Sequence, residues 1–159
     1  MYAYVRTDNM SGTTVAKDLA SAKFYDGAAE KEIENGNVVT LGGYLDGERE
    51  VRKATAPAAN TKLRDLYLVA TPEVVKDKTY YGLGEFINKK GEIIRCYRFT
   101  SGDIFSVTKE ALSGTAAVGS VVEAQAGTKL KVVATATSSS TTVGKVMALE
   151  GDYIVIEVA

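Results

Sequence analysis

The chain has 159 residues, of which 45% are apolar and 25% charged, and its net charge is −1. That composition suits one ordinary domain or two small lobes around a real core, and it excludes global disorder. The near-zero charge also removes any chain-wide pull toward nucleic acid or anionic membrane. No apolar run approaches the roughly 20 residues of a membrane span, and Met1 to Arg6 lacks the basic-then-apolar order of a secretory signal. There is no histidine, so Ser-His-Asp catalysis, Cys–His pairs and His-containing zinc sites are excluded. The single cysteine, Cys96, forms no intramolecular disulfide and fits synthesis in a reducing compartment.

Residues Met1 to Gly27 carry the weakest pattern. Tyr2, Tyr4 and Arg6 alternate with Ala3 and Val5, which reads as a short strand or extended arm. Asn9 to Thr14 is a loop signal, and Val15 to Ala22 reads as a short helix with a thin apolar face. The segment is an arm that needs another surface to order it, either a partner or its own sheet. Strands begin after Lys31. Gly36-Asn37 turns into Val38-Val39-Thr40-Leu41, and Gly42-Gly43 breaks that strand. Asp46-Gly47 is a hairpin signal, followed by a half-exposed strand over Glu50 to Thr55. Leu66 to Ala70 is a continuous apolar run, which predicts a strand buried on both faces and ended by Pro72.

Thr79 to Ile87 reads as a strand softened by Gly82 and Gly84, with Asn88-Lys89-Lys90-Gly91 as a hairpin tip. Glu92 to Phe99 returns, with Ile93, Arg95, Tyr97 and Phe99 on one face and Ile94, Cys96 and Arg98 on the other. Next comes a unit that divides the chain. Gly102-Asp103 turns, Ile104 to Val107 is a short strand, Thr108 caps a helical turn over Lys109 to Leu112, and Gly114 stops it. Strands resume at Gly119 to Ala124 and Lys129 to Thr135. Thr137 to Thr142 is a polar loop expected to be mobile. Lys145 to Leu149 and Tyr153 to Val158 close the chain around Glu150-Gly151-Asp152.

Short strands spaced by glycine turns, with little helix, predict an all-β sandwich or barrel of antiparallel strands. Gly36-Asn37-Val38-Val39 is echoed by Gly119-Ser120-Val121-Val122, and Ala54-Thr55-Ala56 by Ala134-Thr135-Ala136. The matches leave two small β-lobes open, although turn-plus-valine is common to any β protein. The chain divides into an N-terminal arm (1–27), a main β-domain (28–114), and a C-terminal β-segment (115–159) that packs on it or forms a second lobe.

Candidate chemistry is sparse. Asp46, Glu48 and Glu50 share a period-two face, but Arg49 and Arg52 sit among them, and a solvated hairpin explains them better than a calcium site. Glu30, Glu32 and Glu34 read the same way. Gly82-Leu83-Gly84 begins a dinucleotide-binding loop, but Ile87 stands where the third glycine belongs. Lys89, Lys90, Arg95, Tyr97, Arg98 and Phe99 combine base and aromatic as a single-strand nucleic-acid binder would, against the overall charge. Cys96 reads as a buried hydrophobe. No cofactor or metal is expected. The nine tyrosines offer contact area with a polar handle.

Gly102 to Gly114, then Val118-Gly119-Ser120-Val121-Val122, then Lys129-Leu130-Lys131-Val132-Val133, resemble the head decoration, or auxiliary capsid, proteins of tailed bacteriophages that infect Gram-positive bacteria. Asn37 to Gly42 and Tyr67 to Glu73 fit the same style, so the likeness spans roughly Gly36 to Val158. The resemblance implies a non-enzymatic virion protein, made in the host cytoplasm, that binds the outside of the capsid and stabilises the mature head. Its partner would be the major capsid protein, with a homo-oligomer left open and neither nucleic acid nor membrane as partner. Tyr2, Tyr4, Val5 and Arg6 are the candidate capsid contacts, by strand addition. Two other classes remain: a tail or head–tail joining protein, and a β-sandwich glycan-binding module, against which the absence of tryptophan counts slightly.

Overall fold

The computed structural model describes residues 1–75 and 82–159. Among these the chain is all-β, with thirteen strands. They are β1 (Val5–Asn9), β2 (Leu19–Asp26), β3 (Ala29–Glu30), β4 (Val38–Tyr44), β5 (Val51–Thr55), β6 (Leu66–Val69), β7 (Ile94–Arg98), β8 (Ile104–Thr108), β9 (Leu112–Ser113), β10 (Val121–Glu123), β11 (Leu130–Val133), β12 (Thr142–Glu150) and β13 (Tyr153–Val158). Among the described residues helix is limited to single 3-10 turns, and no helix there is long and apolar enough to cross a membrane.

Two sheets form. The first has the order β1-β8-β13-β12-β10-β11-β9, the second β3-β2-β5-β4-β6-β7. In the second, β2 also pairs with β7, so five strands close on themselves. The sheets part between β7 and β8. Every strand after that point lies in the first sheet, and every earlier one except β1 lies in the second. Residues 1–27 therefore supply one strand to each sheet. Most pairings are antiparallel, but β2–β5 and β9–β11 run parallel.

This arrangement buries β6 on both faces, as its unbroken apolar run predicts. Leu66 and Leu68 join Phe105, Val107, Ile154 and Ile156 in the core between the sheets. Tyr67 and Val69 point the other way, into a second core with Ala22, Val39, Ala54, Ile94 and Cys96. The alternation holds in β7, where Tyr97 reaches the first core and Cys96 the second. Area bookkeeping favours this layout, because each buried Leu, Val or Ile contributes about 1.5–3 kcal/mol relative to exposure.

The unit around β8 forms largely as the sequence predicts. Gly102 adopts φ +88. Asp103 is buried and accepts the Thr100 N–H at 3.0 Å and the Ser11 N–H at 3.0 Å. The helical turn is shorter than expected, a 3-10 turn over Lys109–Ala111, with Leu112 already in β9. Thr108 makes no side-chain cap there; its hydroxyl accepts the Tyr4 N–H at 3.4 Å. Gly114 sits at φ +99, where a Cβ would stand 2.9 Å from the Val132 carbonyl oxygen.

Four local expectations are corrected. The helix over Val15 to Ala22 is a 3-10 turn (Ala16–Asp18) followed by β2. Ala22 is fully buried where β5 and β7 pair with opposite edges of β2, so tertiary pairing outweighs a thin helical pattern. Gly42-Gly43 does not end β4, which runs on to Tyr44 with a register shift between Leu41 and Tyr44. The strand read over Thr79 to Ile87 lies outside the described residues up to Tyr81. Beyond them Leu83–Glu85 is a 3-10 turn, and Asn88 bridges to Ile33 rather than to β7. Gly91 does turn, at φ +82, but among the described residues no strand leads directly into it, and β7 pairs with β2 and β6 instead. The polar loop after β11 is tied down: the Thr137 N–H and hydroxyl donate to the Glu123 carboxylate at 3.0 and 2.7 Å, and the Thr141 N–H donates to the Ala59 carbonyl at 2.8 Å.

Candidate functional site

β1 is an edge strand of the first sheet, antiparallel to β8 with Arg6 opposite Ser106. The Thr108 N–H donates to the Tyr4 carbonyl, so Tyr4 and Arg6 turn their backbone groups toward β8. By the alternation of an antiparallel ladder, the N–H and C=O groups of Val5 and Thr7 point to the open edge. A shallow groove of about 320 Å³ runs beside that edge, with Thr71 and Pro72 on its far wall.

The outward face of β1, β8 and β13 carries a connected cluster. Tyr153, at the start of β13, lies opposite Thr108. The Tyr4 ring meets Tyr153 edge-on, with centroids 5.5 Å apart and planes at 86°. The Arg6 guanidinium lies over the Tyr153 ring, 4.4 Å from its centroid. Arg6 Nε also pairs with Asp8 at 3.1 Å, and its Nη2 stands 3.9 Å from Glu150. The Tyr4 hydroxyl donates to Asp152 at 3.4 Å. Desolvation first, and then the Asp152 carboxylate, hold the Tyr4 phenol above its ordinary value of 10.0. Beneath this layer Ser106 is fully buried and donates to Asp8. On the adjoining β12, Met147 and Leu149 are 52% and 51% exposed. The arrangement presents aromatic area, paired charge and an open strand edge together, which are the features of a protein-binding surface.

Of the four candidate contacts, Tyr4 and Arg6 are therefore brought together here. Val5 is half-buried against the main core. Tyr2 goes elsewhere: its N–H donates to the Gly84 carbonyl at 2.7 Å, and its side chain lines a separate groove with Val74, Val75 and Phe86. Tyr153, Glu150 and Asp152 carry no comparable signal in the sequence. They join the site only because β13 lies beside β8, with β1 on the other side of β8 and Glu150 of β12 paired opposite Tyr153.

The remaining sequence candidates disperse. Asp46, Glu48 and Glu50 are exposed on the β4–β5 connection, where Gly47 adopts φ +74. Glu30 bonds Tyr25, whereas Glu34 accepts the Ala3 N–H at 2.7 Å, so the second acidic row is split. No group of three or more possible metal ligands occurs among the described residues. Gly82-Leu83-Gly84 leads into the 3-10 turn at Leu83–Glu85, and Met1 packs against Gly84. In the basic and aromatic set, Lys89, Lys90 and Arg95 are exposed, Tyr97 and Phe99 are buried, and Arg98 is bonded to Tyr67, so they form no single surface. Cys96 is fully buried, and that burial pushes its thiol far above the ordinary range. No protein-family model, curated protein or solved structure matches the chain.

Proposed function

We propose that this chain is a structural virion protein, a decoration protein that binds the outer surface of a phage capsid and stabilises the mature head. The reading joins the resemblance of residues 36–158 to one observation, the Tyr4–Arg6–Tyr153 cluster on an open-edged strand. The capsid supplies many copies of one docking surface, so a modest interface suffices at each. A protein that binds only the expanded lattice stabilises that lattice by mass action, and neighbouring contacts add avidity. In this reading the partner is the major capsid protein, the protein works without a reaction or cofactor, and it is made in the host cytoplasm before joining the virion. β1 contributes both a backbone edge for strand addition and side chains for specificity. Its anchors are Tyr4, Arg6 and Tyr153, because aromatic and arginine side chains concentrate binding energy at protein interfaces.

The test is co-sedimentation with mature, undecorated heads. Wild-type protein is expected to saturate at a fixed ratio to the capsid subunit and to raise the melting temperature of the heads. Point variants serve better than truncation, because β1 is part of the first sheet. Arg6→Glu and Tyr153→Ala are each expected to weaken binding at least about tenfold, the loss of one interface anchor. Absence of binding, together with ring formation in free solution, would overturn the reading in favour of a tail or head–tail joining role.

A further inference from the structure

Beyond the far end of β8 from Tyr4 and Tyr153 lies an open cleft of about 620 Å³. The 3-10 turns at Ala16–Asp18 and Leu63–Asp65 meet the end of β7 there. Four cationic side chains line it, Lys17, Lys62, Arg64 and Arg98, against one carboxylate, Asp18. In a chain of net charge −1, the lining of this concavity thus carries three more cations than carboxylates, with Asp65 just outside it beside Arg64. Focusing of this kind raises the local concentration of an anionic partner.

Arg98 is fixed in advance. Its Nε and Nη2 donate to the Tyr67 hydroxyl at 3.0 and 2.6 Å, and Nη1 stands 3.9 Å from Asp18. A guanidinium already oriented gives up little freedom when a carboxylate arrives. Asp18 offsets only one of the four cations: it is 6% exposed, and its carboxylate is shared between Arg98 and the Ser11 hydroxyl, the latter at 2.5 Å. Lys17 and Lys62 are exposed and have no carboxylate partner among the described residues. Arg64 pairs only with its sequence neighbour Asp65, at 3.9 Å and with both side chains mostly exposed.

We infer that this cleft binds an acidic segment of a partner protein through its carboxylates. Charge complementarity selects the ligand, and the lining selects a peptide over a nucleic acid. Phe99 is the aromatic residue of the wall and is 2% exposed, so it offers no face for base stacking. The basic surface also does not continue as a track, since Lys89 and Lys90 line a different groove. The inference stands on the cleft alone and does not rest on the decoration reading.

The probe is a fluorescein-labelled hexaglutamate peptide, followed by anisotropy at several salt concentrations. Three proteins are compared: wild type, the cleft double variant Lys17→Glu/Lys62→Glu, and the control Lys89→Glu/Lys90→Glu with the same charge change. Wild type is expected to bind with an affinity that falls as salt rises. The cleft variant loses at least about tenfold, the sum of several screened charge pairs, while the control loses little. Should the double variant melt early, the single Lys62→Glu variant carries the comparison. No binding at millimolar peptide in low salt overturns the inference, as does equal loss in both variants. Tighter binding of an oligothymidine of equal charge, lost in the cleft variant, would make the ligand a nucleic acid and overturn it too.

Discussion

Replacing Glu123 by Ala removes the acceptor that holds the loop between β11 and β12. Glu123 is fully buried, yet its carboxylate takes both the N–H and the hydroxyl of Thr137, at 3.0 and 2.7 Å. Hydrogen bonds to a charged acceptor contribute about 1.5–3 kcal/mol each. Thr137 is exposed and regains water when released, so the two bonds are not lost in full. The Lys131 ammonium, 3.7 Å away and 44% exposed, adds less than about 1 kcal/mol after solvent screening. The expected loss is about 3 kcal/mol, which for a chain of this length lowers the melting midpoint by about 6–12 °C. Glu123→Gln keeps one acceptor and is expected to lose about half as much. Burial by itself raises this carboxyl, but the Thr137 bonds and Lys131 outweigh it and hold it below its ordinary 4.5. A depressed folded-state value means that the stabilisation is complete above the ordinary value and fades as pH falls through the folded one. The gap between wild type and Glu123→Gln should therefore be constant near neutrality and close in acid. Circular-dichroism melts across pH measure it, and hydrogen exchange at the Thr137 amide should speed up in the Ala variant. An Ala variant melting within about 2 °C of wild type at neutral pH, which corresponds to less than about 1 kcal/mol, would refute this account of the loop.

Gly144→Ala should destabilise by more than about 2 kcal/mol in urea melts, because its Cβ would lie 2.1 Å from the Glu157 carbonyl oxygen and only backbone movement relieves that. Gly43→Ala, where a Cβ meets nothing within 4 Å, should stay within about 0.5 kcal/mol of wild type. Cys96 should resist a thiol reagent in the native protein and react at a rate set by opening of the second core, since desolvation keeps the thiol protonated and closed in. Rapid stoichiometric labelling without denaturant would contradict that placement.

What could be read in advance follows from the range of the interactions. β6, the Asp46-Gly47 connection and the β12–β13 hairpin are set by neighbouring residues, through an apolar run or a turn glycine such as Gly151 at φ +61. β2 is the opposite case. Its helix-like stretch becomes a strand because β5 and β7, distant in the chain, pair with it at once. Glu123 sits in a Val-Val-Glu-Ala run that gives no sign of a buried charge; its hydrogen-bond donors come from Thr137, fourteen positions later, and its cation from Lys131 on the neighbouring strand. The surface around β1 obeys the same rule. The alternation of Tyr4 and Arg6 is local and visible, whereas Tyr153 and Asp152 are brought to them by two successive antiparallel pairings, β1 with β8 and β8 with β13. A binding surface on a β-sheet is assembled across strands, while the sequence records it along them. Composition can therefore point to an aromatic contact face, but sheet order decides which residues share it. The basic cleft carries this furthest, since its four cations come from three separate stretches of chain, and the one that the sequence does mark, Arg98, is marked together with Lys89, Lys90 and Arg95, which do not line the cleft.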